Sequence, residues 1–559
     1  MSTAYATIAA GSPPQVTFPR RYNAAADLVD RHLEEGRGAS VAYLDDAGTY
    51  SYAALAERVN RAGNALRALG VQAEQRVLMV MLDTIDFPAV FLGAMKIGAV
   101  PVPVNTLLPA GDYVHMAEDS RARVIVASEA LWPKVREAAA KSSWLSRAVV
   151  ASSQVGGAGR SGPSGQRGAE KQDRSPPLAP EDALPGSAEP LRLEDLLAAA
   201  SPELGPAATT CDDVAFWLYS SGSTGAPKAA VHLHSHPMQT AALYARGILD
   251  LQPTDRVFSA ARLFFAYGLG NALTFPLAVG ASAILCAERP TPASVLRILR
   301  EKQPTLFCGV PTLFAALLGD PALAEERGSP VLRASTSAGE PLPRHVGERW
   351  RARFGTDILD GIGSTEMLHI FLSNRPGDVR YGTTGKAVPG YELKLTGDDG
   401  QPVADGEEGS LWVKGPSACA GYFNQRDRSL STFHGPWART GDRYTRDADG
   451  YYTYSGRSDD MLKVSGIWVS PFEVESALGA HPAVLEAAVV GKADADELVK
   501  PKAFIVLRQG VAASPALEAE LKAFVKERLA PYKYPRWIEF APELPKTATG
   551  KIQRFRLRG

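Results

Sequence analysis

Cysteine is scarce: there are four (Cys211, Cys286, Cys308, Cys419), none in C-x-x-C spacing. That argues against a disulfide framework or a cysteine-built zinc site and fits a reducing, cytoplasmic setting. A dominant charge sign is also missing. Lys and Arg total 60 against 61 Asp and Glu, a balance that argues against a nucleic-acid or membrane-surface binder. No run of about 18 apolar residues occurs, so no membrane-spanning helix is expected. Met1 to Pro14 lacks a basic stretch followed by an apolar core, so no signal peptide is expected either.

What the chain does have is length and alternation. At 559 residues it exceeds one ordinary core, so two or more domains are expected. Tyr52 to Leu69 carries Leu55, Val59, Ala62, Leu66 and Leu69 at helical spacing and stops at Gly70. Val77 to Met81 reads as a strand, Phe87 to Ile97 as a helix, and Val100 to Val104 and Val124 to Ala127 as extended segments. Strands alternating with helices predict an α/β fold with doubly wound, largely parallel sheets. Ser153 to Pro190 breaks the pattern with Gly, Ser, Pro and charged residues, and predicts a disordered insertion. Val231-His232-Leu233-His234-Ser235-His236 puts three histidines at period two, which on one strand face would suggest a metal. No carboxylate or cysteine stands nearby and Pro237 follows, so packing and hydrogen bonding are favoured.

The stretch Tyr219-Ser220-Ser221-Gly222-Ser223-Thr224-Gly225-Ala226-Pro227-Lys228 is the centre of the reading. The apolar run Val214 to Tyr219 predicts a buried strand delivering it. Gly222 and Gly225 allow close backbone approach, so N–H groups can converge on an anion. Ser220, Ser221, Ser223 and Thr224 add hydroxyls, and Lys228 a mobile positive charge. The stretch suits a polyphosphate, yet it is not a Walker A loop, because Ala226 and Pro227 separate Gly225 from Lys228.

It resembles the phosphate loop of the acyl-adenylate-forming superfamily, and further stretches resemble that family in its order. Leu332 to Pro341, with Ser337, Gly339 and Glu340, resembles the adenine-flanking strand and turn. In Leu359-Asp360-Gly361-Ile362-Gly363-Ser364-Thr365-Glu366, the resemblance implies that Thr365 contacts the α-phosphate and Glu366 ligates Mg2+, with Thr224 as a second ligand. One carboxylate plus phosphates suits that ion. Trp437 to Asp442 implies Asp442 on the ribose hydroxyls, a fitting partner because an ionised carboxylate only accepts. Tyr454 to Gly466 resembles the junction between two domains: Arg457 would meet the ribose, Asp459 would be the hinge, and Lys463 and Gly466 would border the coenzyme A channel. Ser470-Pro471-Phe472-Glu473 reads as a capping box, Val484 to Val490 as a strand and Pro515 to Leu529 as an amphipathic helix, together a small α+β domain. In Pro545-Lys546-Thr547-Ala548-Thr549-Gly550-Lys551, the resemblance makes Lys551 the catalytic lysine.

Residues 1–458 are therefore expected as an N-terminal adenylate-forming domain, with 153–190 inserted, and 459–559 as a mobile C-terminal lid. Within the superfamily, Leu263 to Gly268 and Gly363 to Phe371 look most like benzoate–CoA ligases. This implies an acid pocket of Phe265, Ala266, Tyr267, Gly268, Ile362 and His369, and activation of benzoate to its CoA thioester through an acyl-AMP. ATP, Mg2+, coenzyme A and an aromatic carboxylic acid are the implied cofactor and small-molecule partners, with no nucleic acid or membrane and with a homodimer left open. Three alternatives stay open: a ligase for a substituted acid such as 4-hydroxybenzoate, an adenylation enzyme serving a carrier protein, and a non-catalytic ATP-binding relative.

Overall fold

The computed structural model describes residues 5–152, 189–222, 225–457, 460–464, 467–494, 499–529, 533–546 and 552–558. Ser223, Thr224, Asp459, Gly466, Lys551 and most of the 153–190 segment lie outside these.

Two sheets carry the expected parallel pattern. One is five-stranded and wholly parallel, in the order Val100–Pro103, Arg76–Val80, Val124–Ser128, Arg147–Ala151, Leu191–Arg192. The other is nine-stranded. Its parallel centre runs from Ile358–Gly363 through Ala334–Ser337, Leu306–Gly309, Arg256–Ser259 and Ser282–Ile284 to Val41–Leu44, with antiparallel strands at both edges. Apolar runs such as Val77-Leu78-Met79-Val80 are fully buried, as strands covered on both faces must be. The helices Tyr52–Ala68 and Asp86–Lys96 pack closely because Gly63 meets Gly93. A Cβ on Gly93 would lie 2.8 Å from both the Gly63 nitrogen and the Val59 carbonyl oxygen.

The strand expected before the phosphate stretch is present as Val214–Gly222, with Ala215 to Leu218 buried, and it pairs antiparallel with Gly225–Leu233. A third sheet, Glu392–Thr396, Glu408–Lys414, Trp437–Arg446, Phe433–His434 and Tyr452–Arg457, is antiparallel throughout. The three histidines share no strand face, because the strand ends at Leu233 and the helix Ser235–Thr240 begins directly after His234.

The small C-terminal unit has its own core, in which Val464, Val474, Leu478, Val489, Ile505 and Leu521 are buried together. It is built from Val484–Ala493, Val499–Leu507 and Trp537–Phe540 with the helices Pro471–Gly479 and Pro515–Arg528. Ser470 caps its helix by accepting from the Glu473 N–H at 3.2 Å. The other half of the expected capping box is replaced: Lys533 donates to both Glu473 carboxylate oxygens, at 2.7 and 2.6 Å.

Candidate active site

The strand Ile358–Gly363, the turn after it and the strand Ile370–Ser373 carry Asp360, Gly361, Ile362, Thr365, Glu366 and His369 at the carboxyl end of the nine-stranded sheet, where open α/β sheets bind ligands. Gly363 is glycine because a Cβ there would lie 2.5 Å from the His369 carbonyl oxygen. The turn holds Thr365 and Glu366 and closes with Leu368 in the left-handed region, at φ 65°. Asp360 is buried, and burial pushes its carboxyl well above the usual range. Beside it in register is Ser337, also buried.

Glu366 is where the separate motifs meet. Lys228 Nζ, from the hairpin, lies 3.1 Å from Glu366 Oε1. Tyr422 donates its hydroxyl to the same oxygen at 2.7 Å, and Lys228 Nζ donates to the Tyr422 oxygen at 2.6 Å. The lysine also lies over the Tyr422 ring, 4.2 Å from its centre. Burial raises the Glu366 pKa, but the Lys228 ammonium and the Tyr422 hydroxyl outweigh it and hold the carboxyl below its ordinary value. Glu366 is thus ionised, the form that suits a hard cation. The Val231–Gly421 and Phe423–Ala229 backbone hydrogen bonds, 3.0 Å each, bring Tyr422 to the hairpin. Nothing in the sequence around Gly421-Tyr422 marks this tyrosine, and the sequence reading missed it.

The pair expected at the ribose, Asp442 and Arg457, is brought together. Arg457 Nη1 lies 3.2 Å from Asp442 Oδ1 and 3.2 Å from the Thr440 carbonyl oxygen it donates to. Gly441 lies between them at φ 78°, and a Cβ there would press on the guanidinium. Gly339 turns at φ 97°, bringing Glu340 out beside the strand Ala334–Ser337.

Among the residues expected in the acid pocket, His369 lies against Tyr267. Its ring lies 4.4 Å from Phe275, 5.2 Å from Tyr244 and 5.6 Å from Tyr267, centre to centre. Burial pushes its pKa down to about 3, so it is uncharged. Its Nε2 donates to the Tyr267 carbonyl at 3.3 Å, while the Tyr267 hydroxyl shares a 2.7 Å hydrogen bond with Thr336. Ala266 is buried next to the Phe264–Phe265 pair, whose ring centres are 4.3 Å apart. Gly268 serves packing: a Cβ there would overlap the Arg262 carbonyl. Asp83, another residue missed from sequence, anchors this segment by accepting from the Leu263 N–H at 3.3 Å, and burial pushes its carboxyl up to about 6.

A hydroxyl-rich hairpin, an ionised glutamate paired with its lysine, and a separate small α+β unit define the class of two-domain adenylate-forming enzymes. The sequence model of the AMP-binding enzyme family matches residues 30–423, and that of the AMP-binding enzyme C-terminal domain matches 473–551. The chain belongs to this family. It is 57% identical over 549 residues to a benzoate–CoA ligase of Thauera aromatica, covering 98% of each chain. It is 50% identical over 540 residues to a 4-hydroxybenzoate–CoA/benzoate–CoA ligase of Rhodopseudomonas palustris, covering 96% of this chain and 94% of that one. The crystal structure of a benzoate CoA ligase from Burkholderia xenovorans superposes with a TM-score of 0.84 at 52% identity, covering 96% of this chain and 100% of that one.

Proposed function

We propose that this enzyme converts benzoate, or a closely related aromatic carboxylic acid, to its CoA thioester through an acyl-AMP, releasing AMP and pyrophosphate. The observation that carries the substrate is the wall around His369: an uncharged imidazole among Phe275, Tyr244 and Tyr267, with the Tyr267 hydroxyl already bonded. Such a wall offers ring faces and edges and no charge, which suits a flat aromatic ring.

In the first half-reaction the acid's carboxylate attacks the α-phosphorus of ATP, forming the acyl–phosphate bond as the bond to pyrophosphate breaks. The hairpin hydroxyls of Ser220, Ser221, Ser223 and Thr224, with Lys228, hold the β- and γ-phosphates. For Lys228 this means exchanging the Glu366 carboxylate for phosphate oxygens. Thr365 contacts the α-phosphate, Asp442 and Arg457 the ribose, and Ser337, Gly339, Glu340, Asp360 and Gly361 flank the adenine. Glu366, kept ionised by its two partners, fits Mg2+, and Thr224 is assigned as its second ligand; when bound, the ion would neutralise phosphate charge. Lys551 bridges the carboxylate and the α-phosphate. The small domain then turns about Asp459, and the CoA thiol, entering past Lys463 and Gly466, attacks the acyl carbon as AMP leaves. We place the enzyme in the cytoplasm.

Purified enzyme given benzoate, MgATP and CoA is expected to yield benzoyl-CoA, AMP and pyrophosphate in equal amounts, and benzoyl-AMP when CoA is omitted. Formation of ADP, or thioester formation that needs no ATP, would overturn the reading.

A further inference from the structure

The turn that carries Thr365 and Glu366 is pinned at three consecutive carbonyls. His232 Nε2 donates to the Thr365 oxygen at 2.8 Å, the Cys419 N–H to the Glu366 oxygen at 2.7 Å, and the Ser417 hydroxyl to the Met367 oxygen at 2.7 Å. Two of these pins come from the 417–419 segment. The third comes from the hairpin, four residues beyond Lys228. His232 is fully buried, its ring stacked on Phe216 at 5.2 Å and 22°. A carbonyl only accepts, so the proton sits on Nε2; Nδ1 faces His236 Nδ1 at 3.1 Å, which itself accepts from the Leu233 N–H at 3.3 Å.

We infer that His232 is a positioning residue for adenylation: its Nε2 hydrogen bond fixes the Thr365–Glu366 turn at a set distance from the hairpin that holds Lys228. This rests on the phosphate and metal roles proposed for Thr365 and Glu366. Those roles need one geometry shared by two segments 133 residues apart in sequence, and His232 is a direct side-chain link between them. Without it the Thr365 carbonyl would keep only the Leu368 N–H of its own turn, 3.2 Å away, and the turn would lose its side-chain tie to the hairpin. Ground-state folding would survive on the other two pins, while phosphate transfer depends on placement within fractions of an ångström.

Two polar substitutions separate the hydrogen bond from mere space-filling. In His232→Gln the amide nitrogen can reach the Nε2 position and keep the bond to Thr365. In His232→Asn it reaches only the Nδ1 position and loses that bond. ATP–pyrophosphate exchange with benzoate is expected to fall at least about tenfold in His232→Asn and less than about threefold in His232→Gln. Benzoyl-CoA formation from saturating supplied benzoyl-AMP is expected to stay within about threefold of wild type in both. The rise in melting temperature on adding MgATP, read without turnover, should shrink in His232→Asn and persist in His232→Gln. Equal losses in the two variants, or equal losses in both half-reactions, would overturn the assignment. Glu366→Gln is the separate control. If it leaves exchange intact, the role of the turn itself is wrong, whereas impaired exchange there with a normal His232→Asn overturns His232 alone.

Discussion

At the scale of the residue, the site works by keeping one carboxylate charged and one imidazole neutral. Glu366 is held below its ordinary pKa by Lys228 and Tyr422 against the opposing effect of burial. A depressed carboxylate delivers its contribution above its unfolded pKa and loses it as pH falls through the folded one. Tyr422→Phe removes one of the groups that depress it, so the acid limb of adenylation kcat/KM is expected to move to higher pH. The loss should be several-fold at acid pH and small at pH 8. A limb that stays in place would mean that Tyr422 does not tune Glu366. The histidines act in the opposite sense. Burial pushes His32, His232 and His234 down to about 4 and His369 to about 3. Below about pH 6.5 the unfolded chain binds protons that the folded chain refuses, so stability falls as pH drops toward 4. Each site costs on the order of 2 kcal/mol at pH 5. A melting temperature that falls steeply from pH 6.5 to 4.5 is expected, and a flat profile would contradict their neutral burial.

At the scale of the element, turns hold the chemistry and glycines set their shape. A side chain on Gly268 would meet the Arg262 carbonyl, and Arg262 is itself tied to the carbonyls of Cys286, Ala287 and Glu288. Gly268→Ala should therefore displace the pocket segment, raising KM for benzoate about tenfold or more while leaving KM for ATP within about threefold. A parallel rise in both would show damage beyond the pocket. The sequence was readable where the physics is local. Buried parallel strands appear as apolar runs, and the helix from Tyr52 stops at Gly70, whose φ is 82°. The antiparallel third sheet was not readable, because strands such as Glu408–Lys414 are only partly buried and look like polar loop. Lys228, Glu366 and Asp442 could be picked out because each sits inside a motif. Tyr422 and Asp83 could not, since each acts through a contact that only folding creates, such as the 180-residue span from Asp83 to Leu263, while His232 stood out as one of three hydrogen-bonding histidines but not for its link to Thr365.

At the scale of the whole molecule, the chain passes between two separate cores over a few residues. Tyr452–Arg457 still belongs to the antiparallel sheet, and Leu462 already belongs to the small core. We place the boundary between 458 and 459, with Asp459 as pivot. Asp459→Pro fixes φ where rotation must change it, so benzoyl-AMP formation should survive within about threefold while benzoyl-CoA turnover falls about a hundredfold. Unchanged turnover would remove Asp459 as the pivot.

The central claim, an uncharged aromatic slot feeding an adenylate-forming site, is tested most directly by competition among acids. The measurement is kcat/KM for CoA thioester formation with benzoate, 4-hydroxybenzoate, 2-methylbenzoate and hexanoate under one set of conditions. Benzoate is expected to lead, the substituted rings to follow by roughly 1–3 kcal/mol in transition-state binding, and hexanoate to come last. A higher kcat/KM for hexanoate than for benzoate would contradict the slot.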